Sequence, residues 1–304
     1  MEYCCEVCGL KLLLSLPEGV RPVGAIEPFL VERAGFQPQV RYAARWYTQR
    51  PADTGPVVES QVGYSIRRMG RGYRYAFNVG CTLNPDALLL DQDPETQSYD
   101  LWLPRAHEAL LRREGLPIAQ NLGQELLLLS HDRLLLHASL IRWGGRGILF
   151  TGPSGMGKST QASLWERYRG AEILNGDKTV LHLTPERITA WGSPYAGTSG
   201  IYRNEAAPAA GIVALRQGLV NEIVPLRGKE ALLELMPRMA TAPWAGQWHG
   251  RGVDLALALL ERIPVYRLTC RPDREAVELT ERTIFPDGRG AALPARGKMG
   301  GIGI

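Results

Sequence analysis

Nowhere do the 304 residues offer an uncharged hydrophobic run long enough to span a bilayer. The most apolar region, from Glu125 to Ile141, is broken by His131, Asp132 and Arg133. The first residues do not read as an export signal either: Glu2 and Glu6 stand where positive charge belongs, and the run Leu10 to Leu16 is short and contains Lys11. The default expectation is a cytoplasmic protein with no membrane partner. There is no long basic run, no basic stripe interleaved with aromatics, and a formal charge of only +4. Nucleic acid is therefore not an expected partner, although an anionic ligand is permitted. A disulfide framework is equally poor, because the five cysteines are odd in number and three crowd together at Cys4, Cys5 and Cys8. Cys5 and Cys8 have the spacing of half a zinc site, but Cys81 and Cys270 stand alone and no histidine pair accompanies them. Reduced thiols packed on a first strand are the plainer reading.

What is present is an ordinary globular composition, 45% hydrophobic and 22% charged, with length for one large domain or two average ones. Up to about Asp100 the chain reads as strands and turns. Tyr64 to Val79 alternates around Gly70-Arg71-Gly72 and predicts a hairpin. Ala87 to Leu90 and Ser98 to Leu103 predict two more strands, with Asp91 to Gln97 as a polar turn. Pro104 can open a helix through Arg113, and a second helix is expected from Ile118 to about Ser130.

From Leu134 the pattern changes. Leu135 to Ile141 is an apolar run, Gly144 to Gly147 a turn, and Ile148 to Thr151 a short buried strand, followed by a helix over Thr160 to Tyr168. Strands are expected at Glu172 to Leu174, Thr179 to Leu183, Ile212 to Arg216, Glu222 to Leu226 and Val265 to Thr269. Helices are expected at Glu230 to Arg238, Gly252 to Arg262 and Arg274 to Ile284. The fold class is thus α/β, or α+β overall: a mainly β N-terminal domain over 1–125, a candidate for substrate docking, then an α/β nucleotide-binding domain over 126–285. Residues 286–304, rich in Gly, Pro and Ala, are expected to be a disordered tail.

The segment Gly152-Pro153-Ser154-Gly155-Met156-Gly157-Lys158-Ser159-Thr160 fits the phosphate-binding loop pattern G-x-x-x-x-G-K-S/T in full, between a strand and a helix. Glycines let the backbone fold into a concave nest of N–H groups, and the following helix adds its N-terminal donors. Lys158 supplies a charge to the β- and γ-phosphates, and the Ser159 hydroxyl is placed to ligate Mg²⁺. ATP and Mg²⁺ are the expected cofactors. The first acidic residue that can share the metal is Asp177, one helix and one strand downstream.

That short spacing resembles HPr kinase/phosphorylase and, more remotely, the ATP-using phosphoenolpyruvate carboxykinases. In the kinase family a strand bearing His-Gly or His-Ala precedes the loop, and Leu136-His137-Ala138-Ser139-Leu140-Ile141 matches it. Gly145-Arg146-Gly147 matches the turn that follows, and Asn175-Gly176-Asp177 the acidic pair. The resemblance spans roughly Leu134 to Ile284 and is similar to the HPr-kinase-like proteins of ribosomal peptide pathways, where a segment like Trp191 to Gly197 recurs. It implies a C-terminal HPr kinase/PEP carboxykinase-like domain and transfer of the γ-phosphoryl group to a hydroxyl of a peptide or protein. Two departures stand out. The family's first acidic position is Gly176, and the Glu-Ile-Arg-Gly segment tied to phosphorylase activity is absent.

Lys158, Asp177 and His137 are the candidate catalytic residues, with Ser159 and Asp177 as metal ligands. His137 reads equally as a satisfied core histidine on a buried strand. Arg203 and Asn204 are candidate substrate contacts, with a solvated surface charge as the alternative. Trp244, Trp248 and His249 fit a lid or peptide-docking loop, or the cover of a core edge. Gly176 keeps another class open, an ATP-gated docking module without catalysis, and a small-molecule kinase or ATPase is a third. The resemblance also leaves room for a homo-oligomer, since related kinases assemble.

Overall fold

The computed structural model describes residues 1–77, 87–195 and 197–287. The protein is a mixed α/β structure built on two large sheets. The first holds β1 (Glu2–Val7), β2 (Leu10–Ser15), β3 (Leu30–Val31), β4 (Val40–Tyr47), β5 (Val57–Gln61), β6 (Tyr64–Met69), β7 (Gly72–Phe77), β8 (Leu88–Asp93) and β9 (Ser98–Pro104). Helices α1 (Glu108–Glu114) and α2 (Gln124–Leu129) follow. The second sheet holds β10 (Arg133–Trp143), β11 (Arg146–Thr151), β12 (Glu172–Asn175), β13 (Lys178–Leu183), β14 (Ile188–Trp191), β15 (Ala206–Gln217), β16 (Glu222–Leu226) and β17 (Val265–Cys270). Among them run α3 (Lys158–Arg169), α4 (Gly228–Leu235), α5 (Gln247–Arg262) and α6 (Arg274–Ile284).

The first sheet has the order β3-β1-β2-β4-β9-β8-β7-β6-β5. It opens with a tight hairpin whose turn residues, Cys8 and Gly9, both have positive φ, the geometry that matches strand twist. In the second sheet, β10 and β15 are long enough to serve two partners in succession. The first half of β10 pairs with β13 and the second half with β11 and β12. The start of β15 pairs with β14, and its remainder runs parallel to β11 and β17. The site is built where β10 changes partners.

One continuous hydrophobic cluster runs through both sheets, from Cys5, Leu12 and Tyr42 to Leu136, Leu181 and Leu259. The four leucines of α2 are buried in it, and the boundary expected between residues 125 and 126 falls inside this helix. A second cluster joins Ile148, Phe150 and Val213 to Trp165 of α3 and Val277 of α6, so these helices cover the outer face of the β11–β15–β17 layer. Cys4, Cys5 and Cys8 are free and buried on β1 and its turn. Burial pushes the Cys5 and Cys8 thiols up to about 12, which leaves them protonated and unreactive.

Several expected elements shift. Pro104 ends β9 instead of opening a helix, and α1 starts at Glu108 after a 3-10 turn. The single helix expected over Ile118 to Ser130 is split at Gly123, whose φ of +58° no helix can continue. A Cβ there would meet the Gln92 amide oxygen at 2.3 Å, so the break is fixed by close approach as well as by φ. Asp91 belongs to β8 and not to a turn, because it takes Arg74 in a two-pronged pair, 2.6 Å and 2.7 Å. Strands β4 and β14 were not foreseen. Val79, Cys81 and most of the expected tail, from 288 on, lie outside the described residues.

Arg133, at the start of β10, joins the two sheets. It is 5% exposed and donates to the carbonyls of Cys8 at 2.9 Å, Gly9 at 3.1 Å and His131 at 2.6 Å. Replacing it by Met leaves buried carbonyls unpaired, and Arg133→Met should lower stability by about 2 kcal/mol or more. Urea unfolding checks this; an unchanged midpoint would mean the arginine does not hold the sheets together.

Candidate active site

Strand β11 is buried along most of its length and delivers the chain to the glycine-rich loop. Its last residue, Thr151, donates Oγ1–H to the His137 carbonyl at 2.7 Å, which locks loop and β10 together. The loop turns on a Met156 N–H to Pro153 carbonyl bond of 3.2 Å and ends at Gly157 with φ +99°, a value closed to residues with side chains. Helix α3 then begins at Lys158, and its first turn presents the free N–H groups that every helix start leaves over. A nest of N–H groups, a helix N-terminus and a lysine together form an anion-binding arrangement.

Lys158 is only 8% exposed, and its ammonium donates to the carbonyls of Gly152 at 3.2 Å and Pro153 at 3.4 Å. Burial pulls its pKa below the ordinary range, Asp177 opposes that, and the positive field of Arg238 adds to it. Asp177 sits in the turn between β12 and β13. That turn is held by the buried Asn175 side chain, whose Oδ1 accepts the N–H groups of Asp177 and Lys178, both at 2.8 Å. Asn175 in turn donates to the Ser193 carbonyl at 2.9 Å.

His137 on β10 lies opposite Lys178 in the β10–β13 register, which puts its ring beside the turn. Its Nδ1 is 3.3 Å from the Asp177 carboxylate. Burial first, and then the charge of Lys158, lower the His137 pKa; Asp177 only partly offsets them. The imidazole is therefore neutral at pH 7.

Gly176 has a steric reason. A Cβ at this position would lie 2.0 Å from Ser199 Oγ and 2.4 Å from Ser199 Cβ. The backbone cannot retreat, because the Gly176 carbonyl accepts from Ser139 at 2.9 Å and its N–H donates to Ile201 at 3.1 Å. Ser199 thus fills the space that a carboxylate at residue 176 would need.

These pieces meet in one cavity of about 260 Å³, lined by His137, Ser154, Gly155, Gly157, Lys158, Ser159, Thr160, Gly176, Asp177 and Ser199. Met156 faces instead an adjoining cavity of about 390 Å³, reached past Gly155, Gly157 and Thr160 and also lined by Gln161, Arg216 and Cys270. Gly152 and Pro153 shape the loop from behind. Arg203 and Asn204 line neither cavity. The Arg203 guanidinium is half exposed, 3.9 Å from Glu172 and 4.0 Å from Glu205. Trp244 stands edge-on to Tyr73 and Tyr75 of the first sheet, with centroids 5.1 Å and 5.9 Å apart, and covers a core edge.

Two residues escaped the sequence reading, Ser199 on the cavity wall and Arg238 beyond it. Arg238 follows α4 and shares the buried Glu234 carboxylate with Arg216 and Arg267. Three guanidiniums on one carboxylate leave a positive surplus, and its field at Lys158 and His137 comes through Arg238. No local motif announces this arginine, because Glu234 and the loop come together only in the fold.

The donor set suits a hard divalent cation. Ser159 and Asp177 offer oxygen ligands, and Mg²⁺ in phosphate sites needs only one or two protein ligands beside phosphate oxygens and water. A three-residue cluster of His, Cys, Asp and Glu, as zinc would require, is absent among the described residues. No helix among them is long and apolar enough to cross a membrane.

No family model matches the chain, and no curated protein matches it. Among solved structures, the HPr(Ser) kinase/phosphatase from Coxiella burnetii aligns with 51% of this chain and 90% of its own, at 16% identity and a TM-score of 0.31.

The packing at Gly176 is testable. Gly176→Ala should cost about 1–3 kcal/mol through overpacking, and adding Ser199→Gly should recover most of it. Denaturant midpoints of the single and double variants check this, and a single variant as stable as the parent would contradict it.

Proposed function

We propose that the chain is an ATP-dependent phosphotransferase that moves the γ-phosphoryl group to a hydroxyl of a peptide or protein. The observation that carries this reading is the shared cavity, in which the loop, Lys158, Ser159, Asp177 and His137 line one space. Phosphoryl transfer asks a protein mainly for positioning and charge stabilisation, and this set supplies both.

The loop amides and the start of α3 hold the triphosphate, and Lys158 exchanges its carbonyl partners for phosphate oxygens. Mg²⁺ held by Ser159 and Asp177 would neutralise charge on the transferred group. Arg238 adds positive potential at Lys158 and His137. His137 answers for the carboxylate missing at Gly176. Its neutral imidazole takes the proton of the acceptor hydroxyl, and the Asp177 carboxylate, 3.3 Å from Nδ1, stabilises the imidazolium that results.

A second reading is an ATP-gated docking module without transfer, favoured by Ser199 standing where a second carboxylate would go. The two part on one assay. Purified protein with γ-labelled Mg-ATP and candidate precursor peptides should label a peptide hydroxyl, and Lys158→Ala should lower the rate at least about 100-fold. Equal labelling by Lys158→Ala sinks the kinase reading, and tight ATP binding with neither transfer nor ADP release favours the module. Acceptor-independent ADP release would mark an ATPase.

His137 also sets a pH dependence. Its pKa lies below the ordinary 6.5, and the active form is neutral, so kcat/KM should be flat around neutrality and fall as pH drops through that lowered value. His137→Gln should be slower by about 100-fold and lack the acid limb. A limb that persists in this variant would assign the titration to another group.

A further inference from the structure

A second pocket, sharing no described lining residue with the phosphate cavity, opens between the β6–β7 hairpin and the start of α2. It encloses about 280 Å³ and is lined by Tyr64, Tyr75, Phe77, Gln124 and Glu125, among others. Three features set it apart from an ordinary surface dent. Tyr75 is 2% exposed, and among the described residues its buried hydroxyl has no hydrogen-bond partner, nor has the buried Gln124 amide oxygen. Both residues line the one cavity and carry unmet hydrogen-bonding capacity there. The Tyr75 and Phe77 rings lie almost parallel, 14° apart with centroids 5.7 Å from each other, and give the pocket a flat aromatic flank.

The third feature is charge. Among the described residues no Lys, Arg or His nitrogen lies within 4.0 Å of the Glu125 carboxylate. Its field reaches the hydroxyls of both Tyr64 and Tyr75. Glu59, across the hairpin on β5, adds negative potential, and the charge of Lys178 opposes it. Burial raises the Glu125 pKa, while hydrogen bonds from its own backbone and the Gln124 side chain and the charge of Lys178 oppose the rise.

We propose that this pocket binds an organic cation, a guanidinium or primary ammonium group, held between the aromatic rings and the Glu125 carboxylate. Such a group has the several N–H donors that Glu125, Gln124 and the Tyr75 oxygen can accept, and its charge meets the π-faces favourably. An anion is repelled by Glu59 and Glu125, and a purely apolar group would leave the buried acceptors unmet. The site does not depend on nucleotide chemistry, so it stands or falls apart from the kinase reading.

The test is calorimetric titration of the full chain, without nucleotide, with acetyl-Gly-Arg-Gly-amide, with agmatine, and with the citrulline analogue of the tripeptide, which keeps shape and loses charge. Saturable binding of the cations is expected, with citrulline at least about tenfold weaker, the equivalent of 1.4 kcal/mol. Glu125→Gln, isosteric and neutral, should lose about tenfold in affinity for the cations. Tyr64→Leu, on a half-buried wall residue, should weaken them too and serves if Glu125→Gln does not fold. A peptide that binds more tightly than agmatine places the cation on a peptide side chain, and the reverse order makes it a free amine; either supports the site. No binding of either cation, equal binding of citrulline, or unchanged affinity in Glu125→Gln overturns it.

Discussion

The side chain of Asn175 decides where the Asp177 carboxylate lies, and the chemistry of the cavity depends on that placement. Its oxygen accepts two successive backbone N–H groups at 2.8 Å and its nitrogen ties the turn to Ser193. The amide is fully buried, so no water competes for these bonds. Asp177 is thereby held within 3.3 Å of His137 and against Gly197, where a Cβ would lie 2.5 Å from its carboxylate oxygen. A looser turn would leave Lys158 and the loop in place but would separate Asp177 from His137.

Electrostatically the cavity is short of negative charge. Asp177 is the one carboxylate among its described lining residues, while Lys158 lies within it and the fields of Lys178 and Arg238 reach His137 from outside. Such a balance favours a polyanion and keeps His137 unprotonated when the cavity is empty. Gly176 follows from packing: Ser199 occupies the adjacent space, and Ser139 and Ile201 fix the backbone on both sides. A carboxylate cannot be restored at that position without first moving Ser199.

The sequence is legible where the determining forces are local. The Gly152–Thr160 loop announces itself because its glycines, lysine and serine are consecutive, and the fold does bring His137, Lys158, Ser159 and Asp177 around one space. Helix α6 was bounded correctly, since Asp273 caps it through the Ala276 N–H and its apolar face is regular. The hairpin of β6 and β7 was equally plain from its alternation. Failures came where distant residues decide. Gly123 breaks a helix pattern because Gln92 of β8 packs against it. Strand β4 has small residues, Ala43 and Ala44, where large apolar ones would show the alternation, and it is set by its parallel neighbours β2 and β9. Arg238, Ser199 and the position of Arg203 depend on contacts across the chain that no short motif encodes.

The most direct measurement is equilibrium binding of Mg-ATP to the full chain and to Lys158→Ala, by calorimetry, with no acceptor needed. If the loop, Lys158 and Asp177 form a triphosphate site, the parent binds one equivalent saturably, removal of Mg²⁺ weakens it, and Lys158→Ala loses at least about tenfold in affinity. Absence of binding, or binding indifferent to both Lys158 and Mg²⁺, would contradict the assignment of this cavity to a nucleotide.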